Sequence, residues 1–196
     1  MGLIIRYKEA GFEEALLGMS LSFYDHAKDL DTWWDEEKYT KAYKRSKKLA
    51  FRGGGHNKFL ESIQVWILIQ APRDFWSEFD TYRSGVSKQS ASTMHTLDKR
   101  IAVKADFDPE TTDVAIENLN ALINAKASVS TIKKNLPEGW LQERMVSTNY
   151  KTLQNIVAQR HNHRLKQWPQ FIEELLNWVH HPEYLTDIDS ATQETK

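Results

Sequence analysis

IQVWILIQ, at residues 63–70, is the stretch on which the reading of the fold turns. Ile63, Val65, Ile67 and Ile69 alternate with Gln64, Trp66, Leu68 and Gln70, and β-branched side chains dominate one face. That period of two is the pattern of a strand with one face against a core. Ala71-Pro72 ends the strand. Pro72 suits the first position of a helix reaching to about Arg83, where its missing N–H costs nothing.

Working outward, residues 3–7 read as a short first strand ended by Gly11. Residues 12–26 set Phe12, Ala15, Leu16, Met19 and Phe23 at helical spacing, with Glu13 and Glu14 in the first turn, where the helix dipole favours them. A second helix, residues 35–51, stops at Gly53-Gly54-Gly55. Downstream of the central strand, residues 84–96 (SGVSKQSASTMHT) form a hydroxyl-rich loop. A helical region covers residues 108–127, and Leu136-Pro137-Glu138-Gly139 is a turn into a strand at residues 141–147. Helices follow at residues 149–160 and 169–180, the latter with Phe171, Leu175, Trp178 and Val179 at core spacing. Residues 1–185 are expected to form one domain, and residues 186–196 a polar tail.

The chain of 196 residues is 40% apolar, with a formal net charge of −1, so nothing draws it as a whole to nucleic acid or to an anionic membrane. Neither partner is expected. There is no cysteine, which excludes disulfides and thiol catalysis and fits a reducing, cytoplasmic setting. No signal-like or membrane-spanning apolar run is read. The helix at residues 35–51 has a basic surface (Lys41, Lys44, Arg45, Lys47, Lys48, then Arg52), read as an ordinary solvated face. His161 and His163 sit beside Arg160 and Arg164, whose charge opposes a cation, so no metal is expected.

NYKTLQNIVAQR, residues 149–160, is the most telling helix. Asn149, Leu153, Ile156 and Arg160 fall on one stripe, and Asn155 points about 120° from Asn149. An arginine that continues an apolar stripe must snorkel, pair with a carboxylate, or meet a ligand. A structural salt bridge is the commoner of these outcomes. The 84–96 loop, flanked by Arg83, Lys88 and His95, has the donors to hold phosphate or to serve as a plain polar connection.

Together these segments resemble the flavin-dependent thymidylate synthases. GHNKFLE (residues 55–61) resembles that family's Gly-His…Glu segment before a core strand, and Lys133…Leu136-Pro137 its Arg-x-x-Leu-Pro. Residues 149–160 resemble Asn-x-Arg-Ser-Leu…Arg, at the family's distance from the proline. The matches run in order from residue 55 to about residue 172. The signature loop departs: Thr81-Tyr82-Arg83 stands for Arg-His-Arg, Gln89 for an asparagine, Met94 for an arginine, and Glu78 for a nucleotide-binding glutamine.

The resemblance implies an α/β (α+β) fold, a central, mostly antiparallel twisted sheet with flanking helices, in a homotetramer binding FAD between subunits. It implies C5 methylation of dUMP from methylenetetrahydrofolate with NADPH as reductant. His56, Glu61, Arg83, Asn149, Lys151 and Asn155 would face the cofactor. Glu78, Ser87, Gln89, Ser90, Ser92, Lys133 and Arg160 would face the nucleotide, with Arg160 favouring the electron-rich form of the uracil ring as the catalytic residue. The altered loop leaves two alternatives: a related enzyme acting on another pyrimidine nucleotide (dCMP, or a hydroxymethylating variant), and a non-catalytic nucleotide-binding homologue.

Overall fold

The computed structural model describes residues 2–186. The last ten residues of the expected polar tail lie outside the described residues. In chain order the elements are β1 (Ile4–Ala10), α1 (Phe12–Ser20), α2 (Leu30–Trp33), α3 (Glu36–Leu49), β2 (Gln64–Pro72), α4 (Arg73–Phe79), β3 (Ser87–Ser90), α5 (Asp113–Asn124), α6 (Val129–Lys134), β4 (Leu141–Asn149), α7 (Tyr150–Arg160) and α8 (Gln167–Trp178).

The four strands form one sheet in the order β1-β2-β4-β3, and every pairing is antiparallel. The β2–β4 ladder is its spine, running from Gln64 opposite Asn149 to Pro72 opposite Leu141. The alternation in β2 is realised: Val65, Ile67, Ile69 and Ala71 are buried, while Trp66 on the other face is 37% exposed. Helices cover only the buried face. There Phe75, Trp76 and Phe79 of α4, Leu153 and Ile156 of α7, and Trp168, Phe171 and Leu175 of α8 close over Val146 of β4. A smaller apolar cluster joins Leu97, Phe107, Ile116, Leu119, Ile132 and Leu136.

Polar contacts fix how the helices sit. Glu174 of α8 accepts from the Leu3 and Ile4 N–H groups at 3.0 and 2.8 Å and so clamps the start of β1. Glu9, its side chain 5% exposed, accepts from Tyr7 Oη and Tyr150 Oη and lies 2.9 Å from His180 Nδ1. Burial first, and then the hydrogen bond each gives to Glu9, push both phenols far above the usual tyrosine range. Both stay protonated donors, so the Glu9 carboxylate ties β1 to the first residue of α7. Gln154 donates to the Tyr184 and Ala50 carbonyls, fastening the far side of α7 to the C-terminal segment and to the end of α3.

Several boundaries differ from the sequence reading. β1 extends to Ala10 and β4 to Asn149, because each is held by a long ladder with β2. Pro72 ends β2 opposite Leu141 and stands at the N-cap of α4, one place before the expected position. α4 stops at Phe79 and does not reach Arg83, since the Asp80 N–H closes its last turn onto Trp76 and Thr81 Oγ1 takes the Glu78 carbonyl. α1 ends at Ser20 in a short 3₁₀ turn, so Phe23 is 62% exposed and not in the core. Trp178 is likewise 44% exposed at the last turn of α8. The helix expected from residue 108 begins at Asp113, because Phe107 bridges to Trp140 and Thr112 caps the helix through the Ala115 N–H. Within the supposed 84–96 loop lies β3, an edge strand paired with β4.

Candidate functional site

The site grows from the junction of β4 and α7. Asn149 ends the strand opposite Gln64 and caps the helix, its Oδ1 accepting from the Thr152 N–H at 2.9 Å. From that cap α7 presents Lys151, Thr152, Asn155 and Gln159 on its outer side, while Leu153 and Ile156 go into the core. Facing them is the turn from α4 into β3. Gly85 there has φ +68°, and a Cβ on it would lie 2.6 Å from Thr152 Oγ1 and 3.1 Å from Asn149 Nδ2. Only glycine lets the two walls approach so closely.

Between these walls is a cavity of about 560 Å³ lined by Glu61, Thr81, Tyr82, Arg83, Ser84, Gly85, Asn149, Lys151, Thr152, Asn155 and Gln159. Its size is that of a small-molecule or cofactor pocket. Five of the six residues expected to face a cofactor are brought together here: Glu61, Arg83, Asn149, Lys151 and Asn155. The sixth, His56, is exposed in the turn before Asn57 and does not line the cavity. Asn149 and Asn155 reach one cavity despite their expected divergence, because Asn149 has extended φ and ψ and is not on the helical wheel. Arg83 and Lys151 make no ion pair among the described residues, leaving two uncompensated cations at the cavity wall.

The residues expected to face the nucleotide separate into three places. Glu78 and Arg160 meet: Arg160 Nη1 donates to Glu78 Oε2 at 2.9 Å, and Arg160 Nε donates to Tyr82 Oη at 2.9 Å. The same Glu78 oxygen accepts from Trp168 Nε1 at 2.8 Å and lies 3.3 Å from His163 Nε2. The Arg160 guanidinium lies 4.9 Å from the Trp168 ring centroid. Of the three outcomes left open for Arg160, the structure shows pairing with a carboxylate. Tyr82 links this cage to the cavity, since its hydroxyl also donates to Gln159 at 3.0 Å.

Ser87, Gln89 and Ser90 lie on β3, with Ser87 and Gln89 directed to the helix-free face opposite Ser147 and Met145, and Ser90 opposite Arg144. Ser92 follows, exposed. Lys88, the cation of this segment, is committed to Asp80 at 2.9 Å, as is Arg144 at 3.1 Å. Burial raises the Asp80 carboxyl, but hydrogen bonds from Lys88 and Arg144 and their charge outweigh it and hold the group below the usual carboxylate range. Lys133 lies elsewhere, in a cleft with Arg73, Thr93 and Arg144. Sequence reading missed Thr152 and Gln159, although with Lys151 and Asn155 they follow helical spacing; it also missed Tyr82 and Gly85 as lining residues. No cluster of three or more His, Cys, Asp and Glu side chains suited to a metal occurs among the described residues, nor does a helix long and apolar enough to cross a membrane.

No protein-family model matches the chain, and no curated protein matches it. Solved structures do. The flavin dependent thymidylate synthase ThyX from Helicobacter pylori, complexed with FAD and dUMP, superposes with a TM-score of 0.75 at 18% identity, over 95% of this chain and 99% of that one. A second ThyX structure from Helicobacter pylori, also with FAD and dUMP, gives 0.75 at 17% identity, over 93% and 95%. The UMP/dUMP methylase PolB from Streptomyces cacaoi, bound with 5-Br dUMP, gives 0.63 at 11% identity, over 93% and 92%. The chain therefore has a ThyX-like fold, a mixed structure of helices on an open antiparallel sheet.

Proposed function

We propose that this chain binds a flavin nucleotide in the cavity between the 81–85 turn and α7, and acts on a pyrimidine deoxynucleotide beside it. One observation carries the reading. Glu61, Arg83, Asn149, Lys151 and Asn155, separate in sequence, line one cavity in which neither cation makes an ion pair among the described residues. Two such cations suit a diphosphate, and the amides suit the donor and acceptor edges of a ring system. Structures of similar fold hold FAD and dUMP, which supports the same ligand classes here.

In its finer form the reaction is C5 methylation of dUMP from methylenetetrahydrofolate with NADPH as reductant. FAD, when bound, supplies the hydride and one-carbon chemistry. Arg83 and Lys151 hold phosphate oxygens, Asn149 and Asn155 orient the ring, and Arg160 addresses the base through the guanidinium nitrogen that neither Glu78 nor Tyr82 engages. FAD titration followed by flavin fluorescence tests the cofactor half. Tight binding is expected, weakened at least tenfold in Arg83→Ala/Lys151→Ala by the loss of two charge-assisted contacts. A protein without FAD affinity at micromolar concentration sinks the reading and leaves the non-catalytic one.

A second reading has its own observation. Glu78 Oε1 has no partner among the described residues, and an ionised carboxylate only accepts. It suits a base edge that donates, such as the cytosine amino group, better than the uracil carbonyl. Calorimetry with dUMP and dCMP decides: Glu78→Gln should move preference toward dUMP, and an unchanged ratio removes Glu78 from base recognition.

A further inference from the structure

A different surface concentrates charge that the cavity does not use. Between residues 38 and 58 the sequence has eight Lys and Arg and no Asp or Glu, in a chain whose formal net charge is −1. Three of these cations are answered: Lys38 by Asp35, Lys41 by Glu37, and Lys47 by Glu183 at 3.9 Å. Lys44, Arg45, Lys48, Arg52 and Lys58 have no ion pair among the described residues. On α3, Lys44 and Lys48 are one turn apart and Arg45 stands beside both. Like charges at that spacing repel. The C-terminal end of the α3 dipole favours Lys48, but no carboxylate among the described residues pairs with these three cations.

Arg45 is the distinctive member. Its Nη1 is buried without a hydrogen-bond partner, and its guanidinium lies 4.1 Å from the centre of the Phe23 ring. Phe23 itself is 62% exposed, so one face is covered by the guanidinium while much of the ring is open to solvent. Phe51, 40% exposed, follows the same basic stretch. Unanswered cations interleaved with open aromatic faces are what a single nucleic-acid strand needs: charge for the phosphates, rings for unstacked bases. A duplex offers no unstacked base to Phe23, and α3, whose outward face carries Lys41, Lys44 and Lys48, presents no apolar stripe for a bilayer to take up.

We propose that the face formed by α3, Phe23 and Arg52 binds single-stranded nucleic acid. The test is fluorescence anisotropy of a labelled oligothymidylate on the full chain. Saturable binding is expected. With three phosphates neutralised the slope of log affinity on log salt is about −2, a fall of roughly 20-fold between about 50 and about 200 mM salt. Lys44→Gln/Lys48→Gln, at two exposed positions, should leave the helix intact by circular dichroism, remove most of the affinity and flatten the slope. Phe23→Ala should weaken binding about tenfold and leave the slope unchanged, as stacking predicts. Arg83→Ala/Lys151→Ala should bind the strand as the parent does, which separates this surface from the cofactor cavity. Absence of binding at low salt overturns the proposal. So does indifference to Lys44→Gln/Lys48→Gln, loss of binding in the cavity variant, or binding to phosphatidylserine vesicles without binding to the oligonucleotide.

Discussion

Asn149 turns the two ends of one amide to two surroundings, and their effects can be separated. Its Oδ1 caps α7, while its Nδ2 stands beside Gly85 at the cavity. Asn149→Ala should cost about 1 kcal/mol through the cap alone. Asn149→Asp keeps the capping oxygen and should hold stability within a few tenths of a kcal/mol, yet bind FAD about tenfold more weakly for want of the donor. An Asp variant with full flavin affinity would show that Nδ2 does not touch the ligand. Arg160 is the contrasting case. With side chains 18% and 36% exposed, the Arg160–Glu78 pair is partly screened, so a double-mutant cycle should give a coupling of about 1–2 kcal/mol. No measurable coupling would mean the contact is incidental to stability. The sequence showed Arg160 on an apolar stripe and so in need of a partner; it could not show which carboxylate, because Glu78 arrives from α4, far away in the chain.

The turn from α4 into β3 is where sequence reading served least well. β2 and α7 declare themselves by periodicity because each has a buried face, whereas β3 is a short edge strand of polar residues with no apolar alternation to read. Its register is held instead by Asp80, which receives Lys88 from β3 and Arg144 from β4. The folded-state pKa of Asp80 is depressed, so its contribution is present above the unfolded-state value and is lost as pH falls through the folded one. Acid titration of stability should therefore show a loss below about pH 4, and Asp80→Asn should be less stable at neutral pH and flatter across that window. The same slope in both proteins would assign the acid response to other carboxylates. Gly85 gives a steric test of the same turn. Gly85→Ala places a Cβ 2.6 Å from Thr152 Oγ1 at a positive φ, so a loss of about 1–3 kcal/mol is expected, together with weaker FAD binding. A stable variant with intact affinity would mean the turn yields.

At the scale of the molecule, the helix-free face of the sheet sets the question of assembly. Trp66 is 37% exposed there, with Leu68 two places further along β2 and Met145 opposite Leu68 on β4. A homotetramer sharing FAD between subunits is the assembly we propose. Light scattering should give four times the chain mass, and Trp66→Glu should lower it. A monomer that binds FAD with full affinity would retire the shared site. β1, β2, β4 and the covering helices were legible because burial leaves a period in the sequence; the six-residue α6 was not, being too short to show one. The strand order has a consequence for how the chain is made. β2 is synthesised early, but its central partner β4 begins at Leu141, and the carboxylate that clamps the start of β1 belongs to Glu174. During translation the apolar face of β2 must wait for most of the chain to leave the ribosome before it can be covered. In that interval only the edge of β2 that faces β1 can be paired, and its other edge and its apolar face stay open, the kind of segment that aggregates or engages chaperones. Truncated chains ending before residue 141 should therefore be insoluble, and yield in cells should fall when elongation is slowed between β2 and β4.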